Sequence, residues 1–171
     1  MKKALIAGTF DPPTLGHEWL IDESLKLFDR VTVVISNNAD KKTMFDVDQR
    51  KKLVEDMCRG YAVDVVVSSN RYLVDYAAKN NYTHIIRGIR SAADYEYEKI
   101  LKYVSDDINI DVQFIYLLTP SYLEYISSSM VKGLVGYEHW ESVVQDYLPE
   151  TVFEEFVKFN KFLLTNRKQR V

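Results

Sequence analysis

The stretch ALIAGTFDPPTLGH, residues 4–17, decides the fold of this chain. It begins as a short apolar run, typical of a buried strand, and continues as a turn rich in glycine and proline. Apolar residues at helical spacing follow directly: Leu20, Ile21, Leu25, Leu27 and Phe28. A strand that passes through a glycine turn into a helix is the first unit of an alternating α/β fold.

The same alternation continues along the chain. Apolar, largely β-branched runs predict further strands at residues 31–35, 63–67, 84–87 (stopped by Gly88) and 112–118. Helical patterns predict helices after Asp46, which forms a capping box with Gln49, and at residues 72–79, 92–104, 127–135 and 150–164. The pattern is therefore strand, helix, strand, with helices at the end.

Strands that alternate with helices form parallel sheets, because parallel strands need long crossover connections, and these are right-handed. We therefore expect an α/β fold: a Rossmann-like, doubly wound, parallel five-stranded sheet with helices on both faces. Residues 1–171 form a single domain in this interpretation, with 136–171 as its appended C-terminal helical segment. Ligands of such folds bind beyond the carboxyl ends of the strands, so functional residues should directly follow strands.

Composition excludes several classes of partner. A net charge of −3 and a pI of about 5.7 argue against nucleic-acid binding. No apolar run approaches the roughly 20 residues that span a bilayer, so no membrane partner is expected. The single cysteine, Cys58, cannot form an internal disulfide and is expected to be buried, which favours a cytoplasmic protein.

The segment from Gly8 to His17 carries the strongest chemical signal. Glycine lets the backbone approach a phosphate, the helix start offers unpaired N–H groups, and His17 in the first turn can donate to a phosphate oxygen. The segment matches neither the P-loop nor the GxGxxG pattern. The alternative, a proline-rich turn with a core-facing histidine, is disfavoured by the combination of strand, turn and Thr-x-Gly-His.

Three further segments follow predicted strands. Arg87 and Arg90 flank Gly88 and can fork around phosphate oxygens. The serines at 127–129 can bind phosphate, although one of them can equally cap the following helix. The lysine pair at 41–42 would ordinarily be solvated. It is a candidate for the site because it follows the second predicted strand.

Together these segments resemble a known family. GTFDPPTLGH is similar to the (T/H)xGH signature of the nucleotidyltransferases. RGIRSAADYEYE (87–98), KKTMF (41–45) and YISSSMVKGL (125–134) resemble the bacterial phosphopantetheine adenylyltransferases in particular, over at least residues 3–149. The chain departs from that family's usual pattern at Ile6-Ala7, Thr43 and Leu123.

The resemblance implies an enzyme that transfers AMP from ATP to 4′-phosphopantetheine in coenzyme A biosynthesis, as a hexamer. It implies Mg²⁺ as the cofactor, held by phosphates and water rather than by protein ligands. Its transition-state residues would be His17 and Lys41 (or Lys42, one register away). Its phosphopantetheine contacts would be Thr9, Lys41, Leu73 and Arg87. Its ATP contacts would be Thr9, Phe10, His17, Gly88, Ile89, Arg90, Glu98, Leu123, Glu124, Tyr125, Ile126, Ser127, Ser128 and Ser129.

The remaining acidic residues of the 92–104 helix, Asp94 and Glu96, are expected to face water. Two other functions stay open at this point. A sister nucleotidyltransferase would use another phosphorylated acceptor, and a non-catalytic module would bind a nucleotide without turning it over. Thr14 and the triple serine favour phosphopantetheine, and the presence of His17 with the arginines favours an enzyme.

Overall fold

A computed structural model describes residues 2–36, 42–69, 72–109 and 111–168, and places five strands and seven helices in them. The strands are β1 Lys3–Gly8, β2 Arg30–Ser36, β3 Val63–Ser68, β4 His84–Ile89 and β5 Gln113–Leu118. The helices are α1 Leu15–Leu27, α2 Val47–Met57, α3 Leu73–Lys79, α4 Ala92–Ile108, α5 Ser128–Leu134, α6 Trp140–Gln145 and α7 Glu150–Lys168.

The five strands form one parallel sheet in the order β3-β2-β1-β4-β5. The predicted doubly wound sheet is therefore confirmed. The chain builds outward from β1 through β2 to β3, then returns to the other side of β1 to add β4 and β5. The order reverses between β1 and β4, and a crevice at this point is where such sheets bind ligands.

Helices cover both faces of the sheet, because successive strand residues point to opposite sides. On one face, Ile6 and Val33 pack in a core with α1, α2 and the C-terminal helices, whose Phe156 is fully buried. On the other face, Leu5 and Val34 pack with α3. The alternation of adjacent residues between two cores explains why each strand reads as an unbroken apolar run.

Four elements differ clearly from their sequence prediction. The predicted stop of the fourth strand at Gly88 is wrong, because Gly88 and Ile89 continue the ladder opposite Leu117 and Leu118 of β5. Helices α4 and α7 each run four residues past their predicted ends, to Ile108 and Lys168. Helix α6 was not predicted, since its six residues are too few to show a helical period.

Helix α2 begins as its sequence predicts. The Gln49 N–H donates to the Asp46 carboxylate at 2.8 Å, and the Asp46 N–H donates to the Gln49 side-chain oxygen at 3.0 Å. Cys58, just after this helix, is buried as expected. Across the described residues, no helix combines the length and apolarity needed to cross a membrane.

Gly8 lies where β1 ends, and a side chain there would collide with a buried ring. A Cβ at this position would lie 3.0 Å from the ring of Phe10, which is 2% exposed, so the ring would have to shift. We therefore expect Gly8→Ala to lower the free energy of unfolding by about 1–3 kcal/mol in chemical denaturation. Gly133→Ala is the matched control: it lies in α5 with open space around it and should raise stability by about 0.5–1 kcal/mol. Equal stability of Gly8→Ala and the native protein would contradict this packing argument.

Candidate active site

A cavity of about 610 Å³ lies beyond the carboxyl ends of β1 and β4, at the reversal point of the sheet. Its volume is in the range that holds a nucleotide-sized ligand. The described segments that meet there are the turn after β1, the start of α1, residues 42–43, the end of β4, α4 and the start of α5. The cavity wall contains these predicted site residues: Thr9, Phe10, His17, Arg87, Gly88, Arg90, Glu98, Ile126, Ser127, Ser128 and Ser129.

His17 stands in the first turn of α1, after the N-cap residue Thr14. The Thr14 backbone N–H donates to Nδ1 of His17 at 3.0 Å, and the Thr14 hydroxyl lies 2.9 Å from the same nitrogen. Because a backbone N–H can only donate, Nδ1 is an acceptor, and the proton of the neutral ring is on Nε2. The ring also stacks against Phe10, with 4.8 Å between centroids.

The protonation state of His17 follows from its surroundings. Burial, with added repulsion from Arg90 and then Arg87, lowers its pKa from 6.5 to about 4. The imidazole is therefore neutral at pH 7 and offers its Nε2–H as a donor without adding positive charge.

Arg87 is held at the end of β4 by two fixed partners. Its guanidinium donates to the carbonyl oxygen of Ala7, at 2.7 Å, and to Oε1 of Glu98 in α4. Glu98 is 5% exposed, and its other oxygen, Oε2, has no hydrogen-bond partner among the described residues. The pair fixes Arg87 in the cavity wall and leaves one buried acceptor beside it.

Arg90 links the start of α4 to the segment before α5. Its Nε donates to Asp94 at 2.9 Å, and one terminal nitrogen lies 3.4 Å from the carbonyl oxygen of Ile126. Asp94 was expected to face water; its side chain keeps 28% of its exposure, pairs with Arg90 and also lines the cavity. Glu96 is exposed as expected and pairs with Lys99.

The three serines have different roles. Ser127 is the N-cap of α5 and accepts from the Met130 N–H at 3.1 Å, so the capping alternative holds for this residue. Ser128 donates to the carbonyl oxygen of Pro12 at 2.8 Å and ties α5 to the turn after β1. Ser129 lies exposed in the cavity wall.

Among the wall residues that the sequence did not identify are a buried aspartate and the lysine paired with it. Asp11 is 2% exposed and Lys132 donates to it at 2.7 Å, with both side chains in the cavity wall. Lys132 lies four residues after Ser128 and therefore on the same helix face, which is the signal that could have found it. Asp11 lies inside the quoted GTFDPPTLGH segment, where its proline neighbours suggested only a turn.

Some predicted residues lie outside the cavity wall. Ile89 and Leu123 are buried, and Glu124 and Tyr125 are exposed. Leu73 is the first residue of α3 and packs against the second core. Lys41 lies outside the described residues, whereas Lys42 is in the wall.

The cavity therefore combines cations, hydroxyls and a neutral histidine donor at the reversal point of a parallel sheet. This fold and site define a nucleotide-binding transferase. The comparisons agree: the sequence model of the cytidylyltransferase-like family matches residues 5–134. The solved structure of Plasmodium falciparum nicotinic acid mononucleotide adenylyltransferase, complexed with NaAD, has the same fold, with a TM-score of 0.69 at 17% identity, over 94% of this chain and 97% of that one.

Curated relatives identify the particular family. The phosphopantetheine adenylyltransferase of Chromobacterium violaceum is 42% identical over 92% of this chain and 96% of its own length. That of Neisseria meningitidis serogroup C is 39% identical over 91% and 92%. The chain belongs to the phosphopantetheine adenylyltransferases, within the cytidylyltransferase-like family.

The lowered pKa of His17 makes stability depend on pH. Between about pH 6.5 and pH 4 the unfolded chain binds a proton at this residue that the folded protein does not, so acid destabilises the fold there. We expect the free energy of unfolding to fall with decreasing pH by up to about 1.4 kcal/mol per pH unit from this group. The reference is His17→Asn, whose side-chain oxygen can still accept from the Thr14 N–H. The stability difference between the two proteins, measured in phosphate-free buffer, should change across this window. A constant difference would contradict the lowered pKa.

Proposed function

We propose that the chain transfers AMP from ATP to 4′-phosphopantetheine, giving dephospho-coenzyme A and pyrophosphate. The observation that carries this proposal is the arrangement of His17 opposite Arg87 and Arg90 in one cavity, in a chain of this family. Both the fold and the residues of the cavity support the binding of a nucleotide.

The mechanism needs no protein base, because the acceptor phosphate is already an anion. It attacks the α-phosphorus of ATP in line, the bond to the β-phosphate oxygen breaks, and pyrophosphate leaves with its electron pair. What the protein supplies is position and stabilisation of the charge on the α-phosphate. The Nε2–H of His17 would donate to an oxygen of that phosphate.

The other cavity residues would hold the two substrates on either side of His17. Thr9 and Arg87 would bind the acceptor phosphate, and we propose the same role for Lys41. Arg90 and Ser129 would bind the phosphates that leave, while Ser128, whose hydroxyl donates to the Pro12 carbonyl, would hold the start of α5 against the turn after β1. Rigid guanidinium groups suit this work, because their donors match two phosphate oxygens at once.

Mg²⁺ would neutralise charge on the ATP phosphates. No three His, Cys, Asp or Glu side chains of the described residues lie together as a metal-binding group. We propose phosphate oxygens and water as its ligands, as is usual for Mg²⁺ at nucleotides. A cytoplasmic location belongs to the same proposal. Its support is that the single cysteine, Cys58, forms no internal disulfide.

The direct test follows pyrophosphate release with ATP, Mg²⁺ and 4′-phosphopantetheine. Release should require the acceptor, and His17→Asn should lower turnover by about 10²–10³-fold, because it removes a donor to the α-phosphate. His139→Asn is the matched control, since its side chain is 80% exposed outside the cavity, and it should keep normal turnover. Normal turnover of folded His17→Asn would refute the role of His17.

Other acceptors separate the remaining functions. Nicotinamide mononucleotide and glycerol phosphate are tested beside 4′-phosphopantetheine. Release with one of these alone would overturn the substrate proposed here. No release with any acceptor, despite ATP binding, would overturn the enzyme itself.

We also propose that the chain assembles as a homohexamer. The support is an apolar row on the outside of α4, where Tyr97, Ile100 and Val104 are exposed at helical spacing. Leu118, at the end of the edge strand β5, is 78% exposed. Large apolar side chains grouped in this way mark surfaces that contact other proteins.

Light scattering after gel filtration tests this assembly. The native chain should elute with the mass of about six copies, and Ile100→Glu should give a smaller species, because it places a charge in the apolar row. Leu27→Glu is the matched control, an exposed leucine on α1 away from α4, and should keep the native mass. A native chain that is monomeric at all concentrations, or an Ile100→Glu protein of unchanged mass, would contradict the proposal.

A further inference from the structure

We propose that Asp11 is a positioning residue, which holds Lys132 and the segment that carries Lys42 in place so that both lysines present their donors to the phosphates. The inference rests on the proposed function, since the phosphates concerned are those of ATP and its acceptor. It assigns Lys132 as a phosphate-binding residue beside the two arginines.

Asp11 is an almost fully buried carboxylate, and both of its oxygens are occupied by donors from distant parts of the chain. The backbone N–H groups of Met44 and Phe45 donate to it at 2.9–3.0 Å. The ammonium of Lys132 donates to Oδ2 at 2.7 Å. One side chain therefore joins the turn after β1 to the segment before α2 and to α5.

The segment before α2 is held from a second side as well. Arg50, 2% exposed, donates to the carbonyl oxygen of Phe45 at 3.3 Å and to those of Thr9 and Ser36 at 2.8 and 3.0 Å. Asp11 thus accepts hydrogen bonds from the backbone N–H groups of this segment, while Arg50 donates one to a backbone carbonyl oxygen of the same segment. The position of Lys42 and Thr43 in the cavity wall depends on these two anchors.

Lys132 has donors left for a ligand. An ammonium group carries three N–H donors, and the bond to Asp11 uses one. Its side chain is 27% exposed and lines the cavity on the same helix face as Ser128. Lys132 makes the direct ion pair with this buried carboxylate, and that bond favours the position of Lys132 in the wall.

A purely structural role for Asp11 makes a different prediction from a positioning role. A structural residue would change stability and leave the kinetics of the folded protein unchanged. A residue that acts through Lys132 would give kinetic effects that depend on whether Lys132 is present. The two roles therefore separate in a double-mutant cycle.

The experiment compares Asp11→Asn, Lys132→Met and the double variant with the native protein. We expect each single variant to lower kcat/KM for ATP by about 10–100-fold, through misplaced phosphate contacts. The fold-loss of kcat/KM in the double variant should be at least tenfold smaller than the product of the two single-variant losses. The reason is that each single substitution already removes the same contact, the ion pair between Asp11 and Lys132. Asp46→Asn is the matched control: it removes a nearby aspartate charge, keeps a good N-cap and should leave the kinetics unchanged.

Amide hydrogen exchange gives a second readout that needs no substrate. Exchange at Met44 and Phe45 should be faster in Asp11→Asn and in the double variant, and nearly native in Lys132→Met. If Asp11→Asn does not fold, the double variant, which leaves no unpaired charge, is compared with Lys132→Met in the same way. Native exchange at these amides, unchanged kcat/KM in Asp11→Asn, or single effects that multiply in full would each overturn the proposal.

Failure of the proposed function would be seen separately. If the native protein releases no pyrophosphate with 4′-phosphopantetheine, the substrate is wrong and Asp11 is judged by ATP affinity instead. The same four proteins are then compared by calorimetry. The positioning role would be supported if both single variants bind ATP more weakly and the double variant loses less affinity than the product of the two single losses. Unchanged ATP affinity would overturn it.

Discussion

The parallel pairing of β1 with β2 on one side and β4 on the other decides where the functional side chains lie. Because these strands run in the same direction, their carboxyl ends meet at one edge of the sheet. The turn after β1 brings His17 to this edge, and the end of β4 brings Arg87. The hydrogen bond from Arg87 to the Ala7 carbonyl shows how closely the two strand ends approach.

The electrostatics of the cavity follow from this crowding. Arg87 and Arg90 lie near enough to His17 to help burial keep its imidazole neutral. A neutral ring still donates through Nε2, because the Thr14 N–H occupies Nδ1. The protein therefore places a directional donor in the same wall as two cations without adding a third charge that would repel them.

The sequence predicts the sheet and most of the cavity, because both depend on local patterns. Apolar runs identify all five strands, and each predicted segment that the structure describes contributes to the wall. What the sequence could not show are pairings between distant residues. Asp11 and Lys132 are 121 positions apart, and their bond depends on the packing of α5 against the turn after β1. The bond from Arg90 that brings the partly exposed Asp94 into the cavity wall is another contact that the sequence does not show.

The arrangement of charge in the cavity also explains how a protein of net charge −3 handles phosphates. Each of three cations in the wall is paired with a carboxylate: Arg87 with Glu98, Arg90 with Asp94, and Lys132 with Asp11. These pairs fix the cations before a ligand arrives, so little conformational entropy is lost on binding. They also keep the empty cavity nearly neutral, which limits both the repulsion among the cations and the strength with which any single phosphate is held. Such a site can position two highly charged substrates and still release pyrophosphate, because specificity comes from the geometry of the donors rather than from a strong positive field.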